Sequence, residues 1–193
     1  MLATPIILLA LATSAKLATS LRIPEGTLDG VYSVYINESG VEVHEPLFPG
    51  DVPAPTNSEE PEVDQLEARD ITTVSYWCGC GITMNHGDCD AAVQALKNQF
   101  GSGQADIGAH LAWYSISGSV VAFACNREGG KAAGSAAKIT GALQGITNKC
   151  GWYVPGTQHL YTGLFYTPYF GYMNYRPGLD FCTMSVSSGS HKC

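Results

Sequence analysis

Tyr76-Trp-Cys-Gly-Cys-Gly-Ile-Thr-Met-Asn-His-Gly-Asp-Cys-Asp-Ala-Ala-Val-Gln-Ala-Leu-Lys-Asn-Gln-Phe100 decides the fold. It holds three of the seven cysteines and then becomes the clearest amphipathic helix in the chain. From Cys89 to Phe100, the residues Cys89, Ala92, Val93, Leu96 and Phe100 recur at helical spacing and make one continuous apolar face. Asp88 is expected to cap this helix, because a carboxylate there accepts an otherwise unpaired backbone N–H, and Asp90 adds a first-turn charge. Gly101 and Gly103 stop it. Upstream, Ile71-Thr-Thr-Val-Ser-Tyr-Trp-Cys78 is rich in β-branched and aromatic residues and reads as a strand. If the strand runs on to Cys80, Cys78 and Cys80 share a face. Such parallel neighbours do not normally bridge each other, so each needs a distant partner.

Downstream the pattern continues. Ala109-His-Leu-Ala-Trp-Tyr-Ser-Ile116 and Val120-Val-Ala-Phe-Ala-Cys-Asn126 flank the turn Ser117-Gly118-Ser119, which predicts an antiparallel hairpin. A second helix is expected from about Ser135 to Lys149, with Ala136, Ile139, Leu143, Ile146 and Cys150 on one stripe and Gly151 at its end. The expected fold class is therefore α+β: a two-layer sandwich of a small antiparallel sheet with two helices, braced by disulfides. The tail after Trp152 is aromatic: Leu160-Tyr-Thr-Gly-Leu-Phe-Tyr166 reads as a further strand, and Pro168 and Pro177 punctuate irregular loops.

The front of the chain is different. Residues 1–15 carry the apolar run Ile6-Ile-Leu-Leu-Ala-Leu-Ala12 and then small residues, the pattern of a signal peptide, and the run is too short to span a bilayer. Residues 16–48 contain a hairpin signal around Glu38-Ser-Gly40. An isolated hairpin is marginal in water, so this segment is either a pro-region or a hairpin docked on the main domain. Asn37-Glu38-Ser39 is an N-glycosylation sequon at that turn. Residues 49–70 form an acidic, proline-rich linker without the apolar residues a core needs, and residues 71–193 form the disulfide-rich domain.

The net charge of −7 is unevenly spread. Residues 1–70 have three basic and twelve acidic side chains, whereas residues 71–193 have seven and five. No basic cluster marks a nucleic-acid surface, so that class of partner is set aside. All cysteines follow residue 77, and clustering behind an export signal reads as a disulfide framework in a secreted protein. The expected bridged set is Cys78, Cys80, Cys89, Cys125, Cys150 and Cys182, with Cys193 as the free or tail cysteine. The alternative joins Cys182 to Cys193 and leaves another thiol buried.

Asp88-Cys89, Val121-Ala-Phe-Ala-Cys125 and Cys150-Gly-Trp-Tyr-Val-Pro155 resemble two groups of fungal secreted proteins. One is the smut-fungus killer-toxin family with its ascomycete relatives. The other is the family of extracellular cysteine-rich effectors with a necrosis-inducing domain. The likeness covers about residues 76–156. The Cys78-Gly-Cys80 stretch and the tail beyond 156 depart from both patterns. The resemblance implies a two-layer α+β sandwich, export from a fungus, and a role against other cells or in host interaction.

Three site hypotheses follow from the residues. His86, Asp88 and Asp90 crowd three polar donors into five positions, the one cluster a secreted hydrolase would use. As metal ligands they are too few to close a site, and the two acids already have helix-start roles, so no metal and no cofactor is expected. Cys89 beside His86 has the residue types of a nucleophile pair, but in an exported chain it is expected to be oxidised. Trp77, Trp113 and Trp152 are a candidate ligand platform for a wall polysaccharide or a cell-surface protein. The leading expectation is a secreted fungal effector or toxin-like binder. A secreted hydrolase and a structural cell-wall protein are the alternatives.

Overall fold

The computed structural model describes residues 21–48, 73–101, 103–163 and 166–193. The signal peptide read at 1–15 and the linker read at 49–70 lie outside the described residues. Among the described residues, the strands are β1 (Gly30–Ile36), β2 (Glu42–Leu47), β3 (Thr73–Cys78), β4 (Gln104–Ile107), β5 (Ala112–Ser117), β6 (Val120–Cys125), β7 (Ala132–Ser135), β8 (Gly156–Tyr161) and β9 (Tyr169–Asn174). The helices are α1 (His86–Phe100), α2 (Ala136–Cys150) and the single turn α3 (Phe181–Met184).

The fold is α+β and disulfide-braced. Seven strands form one antiparallel sheet in the order β2-β1-β5-β6-β9-β8-β3, and β4 pairs with β7 in a small separate ladder. The hairpin β5–β6 lies at the centre of the large sheet. Every residue of β6 is buried, because both of its faces are covered. On one face α1 and α2 lay down their apolar stripes: Cys89, Ala92, Leu96 and Phe100 from α1, and Ile139, Leu143, Ile146 and Cys150 from α2, against Trp113, Val120, Ala122 and Tyr172. On the other face Leu21, Ile23, Leu179, Phe181 and Cys182 cover Val34, Tyr114, Val121 and Phe123.

This second cover corrects the expected architecture. The sheet is not small, a third short helix is present, and the tail, in which a strand was expected over 160–166, supplies β8 at Gly156–Tyr161, β9 at Tyr169–Asn174 and a lid of side chains. Local pattern did not reveal it, because Phe181 and Ile23 meet only through the fold. Ile23 donates its N–H to Leu179 and accepts from Gly178, so these two distant segments pair across the back of the sheet.

The segment 16–48, left open between pro-region and docked hairpin, joins the main sheet in its described part. Strand β1 pairs with β5 in register, Tyr32 opposite Tyr114 and Val34 opposite Ala112. The Tyr32 and Tyr114 rings stack at 5.1 Å. A boundary near Ile71 therefore does not separate β1 and β2 from the sheet they extend.

Helix α1 begins earlier than the pattern predicts. Its N-cap is Asn85, with extended backbone (φ −63°, ψ 127°), whose side chain accepts the Asp88 N–H at 3.0 Å. Asp88 is thus inside the first turn, not the cap. Its carboxylate is free to reach Ser119 in the β5–β6 turn, accepting the backbone N–H at 2.8 Å and the hydroxyl at 2.7 Å. Asp29 takes the neighbouring Gly118 N–H at 2.8 Å. Two carboxylates therefore clamp one tight turn. Gly118 has φ +49°, and an added Cβ would sit 2.5 Å from the Asp88 carboxylate, so only glycine fits there. Helix α2 starts as predicted, with Ser135 accepting from the Lys138 N–H, and Gly151 closes it at φ 108°.

Three bridges hold the fold: Cys78–Cys150, Cys80–Cys193 and Cys125–Cys182. Two expectations are corrected. Cys193 is bridged rather than left over, and the free cysteine is Cys89. Cys89 lies on the buried stripe of α1, where it serves as a small apolar residue. Cys78 and Cys80 both find distant partners, because β3 ends at Cys78 and the chain turns at Cys80.

Residues 187–193 run as a strap along the outer edge of β3. The Cys78 N–H donates to Ser190, the Ser188 hydroxyl donates to the Cys78 carbonyl, and the His191 Nδ1 lies 2.6 Å from the Tyr76 carbonyl, which fixes it as the protonated nitrogen. Each such bond contributes about 1 kcal/mol net, while ordering each residue costs about 1–2 kcal/mol. These contacts do not hold the strap by themselves. The Cys80–Cys193 link does.

Candidate functional site

His86, Asp88 and Asp90 do not converge. They start α1 together, but the helix turn sends them in different directions. Asp88 is spent on Ser119. The His86 ring lies flat on Tyr153, with centroids 3.8 Å apart and planes 12° from parallel. Asp90 accepts the Tyr153 hydroxyl at 3.2 Å. The site therefore gathers around Tyr153, a residue the sequence reading used only as part of a motif. Among the described residues, no group of three or more His, Cys, Asp or Glu is placed to hold a metal ion.

Tyr153 has φ +56°, a left-handed conformation that a bulky side chain rarely adopts. Such strain costs about 1–3 kcal/mol and persists only where surrounding contacts enforce it. Here the Tyr153 carbonyl accepts the Met84 N–H at 2.9 Å, His86 covers one ring face, and Asp90 fixes the hydroxyl. Partial burial, then the Asp90 carboxylate, raises the Tyr153 phenol above its ordinary value, so it stays a proton donor to Asp90.

The consequence of this turn is Trp152. Gly151 and the left-handed Tyr153 bracket it, and its indole is 76% exposed, tilted against Tyr153 with centroids at 6.0 Å. Ile82, half exposed, lies in the neighbouring loop that hydrogen-bonds to the 153–155 segment through Gly79 and Met84. Trp152, Tyr153, His86 and Asp90 form a projecting aromatic surface with one carboxylate.

The three-tryptophan platform is not assembled. Trp113 is buried under α1 and stacks on Phe100 at 4.7 Å. Trp77 is on the opposite face of the sheet, against Tyr169 at 5.9 Å and His191 at 6.5 Å. Strand alternation separates them, since each tryptophan comes from a different element and points its own way. Trp77 instead lines an open groove of about 580 Å³ with Met173, Met184, Arg176 and the serines of the strap.

Cys89 is not a nucleophile. Burial, reinforced by Asp90, pushes its thiol up to about 12, so it holds its proton at neutral pH. The His86 ring is engaged with Tyr153.

The chain matches no protein-family model, no curated protein and no solved structure.

Tyr153 had one sequence signal, its place between the candidate platform residue Trp152 and Val154-Pro155 directly after Cys150-Gly151. The positive φ that aims it had none. Asn37, the sequon residue, sits at the β1–β2 turn, where its side-chain oxygen accepts the Ser39 and Val41 N–H groups.

Asp88 gives a pH test. Hydrogen bonds from the Ser119 backbone and then its hydroxyl favour the charged carboxylate and lower its pKa below 3.8. The unfolded chain therefore binds this proton more tightly than the folded one. The stabilisation is complete above the ordinary carboxylate value and is lost as pH falls through the lower folded value. Asp88→Asn is expected to melt below the parent at neutral pH, with the gap closing as pH drops below about 4. Thermal melts across that range check it, and a gap independent of pH counts against the clamp.

Proposed function

We propose that this protein is a secreted fungal effector or toxin-like protein that acts by binding a cell-wall or cell-surface target through the Trp152 surface. The observation that carries the reading is the exposed indole of Trp152, held out beside the strained turn at Tyr153. Exposing an indole and straining Tyr153 both cost folding free energy, and tryptophan is the side chain most enriched where binding energy concentrates. A flat indole beside a carboxylate and an imidazole suits a sugar ring, whose C–H face stacks on the indole while its hydroxyls donate to Asp90. A wall polysaccharide is therefore the first target to test, with a cell-surface protein as the second. Three disulfides fit an extracellular life. The sequon at the exposed β1–β2 turn fits a glycan there.

The hydrolase alternative needs His86, Asp88 and Asp90 on one reacting centre, but Asp88 is held by Ser119 while His86 and Asp90 engage the ring and the hydroxyl of Tyr153. Trp152→Ala is expected to change stability by less than about 0.5 kcal/mol, since the ring is exposed. It is expected to weaken retention on insoluble wall polysaccharide by about tenfold or more. Co-sedimentation of parent and variant with purified wall fractions and with intact cells checks this. Equal retention of both proteins on every fraction overturns the Trp152 reading.

A further inference from the structure

Strand β1 turns Val31, Ser33 and Tyr35 to the helix side of the sheet, and β2 sets Leu47, Glu45 and Val43 opposite them. Val31 and Leu47 pack against the helix-side core. Towards the hairpin turn that cover ends. Tyr35 is 38% exposed and Val41, beyond it, 55%. Tyr35 makes no ring contact among the described residues. An apolar face is therefore left open at the hairpin tip, and Asn37 stands in it.

The turn fixes how Asn37 is presented. Its N–H donates to the Val41 carbonyl at 2.9 Å, which sets Asn37 across from Val41 and, two residues on from Tyr35, on the same face. Glu38-Ser39-Gly40 form the loop. The Gly40 N–H returns to the Asn37 carbonyl at 2.9 Å, and Gly40 takes φ +75°, the left-handed position that a three-residue hairpin loop requires. The Asn37 Oδ1 accepts the Ser39 N–H at 3.0 Å and the Val41 N–H at 2.9 Å. Two donors on one end of the amide identify that end as oxygen. Nδ2, the atom that a sequon glycosylates, has no hydrogen-bond partner among the described residues.

We propose that Tyr35, with Val41 and Val43 beside it, is the seat of the first N-acetylglucosamine of a glycan on Asn37. Residues two apart on a strand are about 7 Å apart, within the span of one hexose. The apolar C–H face of that sugar suits the negative face of the Tyr35 ring. Three side chains fall far short of the roughly 800 Å² per partner that a stable protein interface buries. A sugar tethered at the same turn is held at high effective concentration, so for it the small patch suffices. The donor is a polyprenyl-diphosphate oligosaccharide of the secretory route. The bond from its first sugar's C1 to the diphosphate oxygen breaks, a C1–Nδ2 bond forms, the diphosphate leaves, and Nδ2 gives up one proton. The inference rests on the export half of the reading above and not on the Trp152 surface. Its consequence is a brace for β1 and β2, which no disulfide reaches.

The full chain is secreted from a glycosylating host and trimmed with an endoglycosidase that leaves one sugar on asparagine. It is compared with Ser39→Ala, which ends the sequon and keeps the backbone N–H that Asn37 accepts. Glycopeptide mapping is expected to find the sugar on Asn37, and the one-sugar form to melt above Ser39→Ala by about 2–4 °C. In a Tyr35→Thr background, which keeps a β-branched strand residue, that gap is expected to fall below about 1 °C. The ring protons of the first sugar, displaced upfield over Tyr35 in the parent, should return to their free positions in the variant. A bare Asn37 in a secreted, disulfide-bonded chain overturns the site and leaves the export reading standing. A chain retained inside the cell overturns both. Equal gaps in the two backgrounds, no gap in either, or sugar protons without the upfield displacement overturn the seat on Tyr35.

Discussion

A chain beginning at residue 71 is expected not to fold cooperatively. Residues 21–48 contain no cysteine, so no bridge ties them to the rest, yet they complete the back of the sheet. Ile23 is fully buried and Leu21 and Val34 nearly so. Removing them uncovers Tyr114, Phe123 and Phe181 and strips β5 of the partner along one side. Each buried aliphatic side chain contributes about 1.5–3 kcal/mol, and a lost strand ladder adds to that. Together these approach the whole stability of a domain, about 5–15 kcal/mol. Far-UV circular dichroism and a thermal melt of residues 71–193 check this. A sharp transition at the full-length midpoint would show that the hairpin is dispensable, as a removable pro-region requires. A peptide spanning 21–48 is expected to restore the melt when added in trans, because the contacts it makes are non-covalent.

Gly171→Ala is expected to be the most damaging single methyl. Gly171 sits in β9, packed closely against β8 and Phe123. A Cβ there would lie 2.5 Å from the Gly156 carbonyl oxygen, 2.6 Å from Phe123 and 2.9 Å from the Thr157 hydroxyl. The nearest atom is backbone in the neighbouring strand, so relief requires moving β8 rather than turning a side chain. A cost of about 3 kcal/mol is expected, at the upper end for overpacking, which lowers Tm by roughly 6–12 °C at this chain length. Gly129→Ala is the control, since a Cβ there meets nothing within 4 Å. Its midpoint should stay within about 2 °C, the equivalent of about 0.5 kcal/mol. Equal losses at the two positions would mean that glycine removal, not crowding, sets the effect.

Helix α1, helix α2 and the β5–β6 hairpin were legible because each follows from short-range pattern. Helical spacing places Cys89 and Leu96 on one face wherever the helix docks, and Ser117-Gly118-Ser119 turns the chain in any context. The choice between Asn85 and Asp88 as cap was less legible. Both side chains can accept a backbone N–H, and what freed Asp88 for Ser119 was a contact across 31 residues. The candidate site was half legible. His86, Asp90 and Trp152 stood out by type, but the tyrosine that joins them is fixed by a backbone conformation that sequence does not state.

The opening stretch from Tyr76 to Phe100 shows the same division. By itself the sequence determined a strand, a turn and a helix with an apolar stripe, because backbone propensity and periodicity act over a few residues. Its expectation that Cys78 and Cys80 take separate partners holds, although the premise of a strand running on to Cys80 does not, since β3 ends at Cys78. Only the tertiary structure decided which cysteine stays free. Partner choice depends on which sulfurs the packed sheet and helices bring within bonding distance, and packing placed Cys89 among the side chains of the core while bringing Cys193 to Cys80 along the edge of β3.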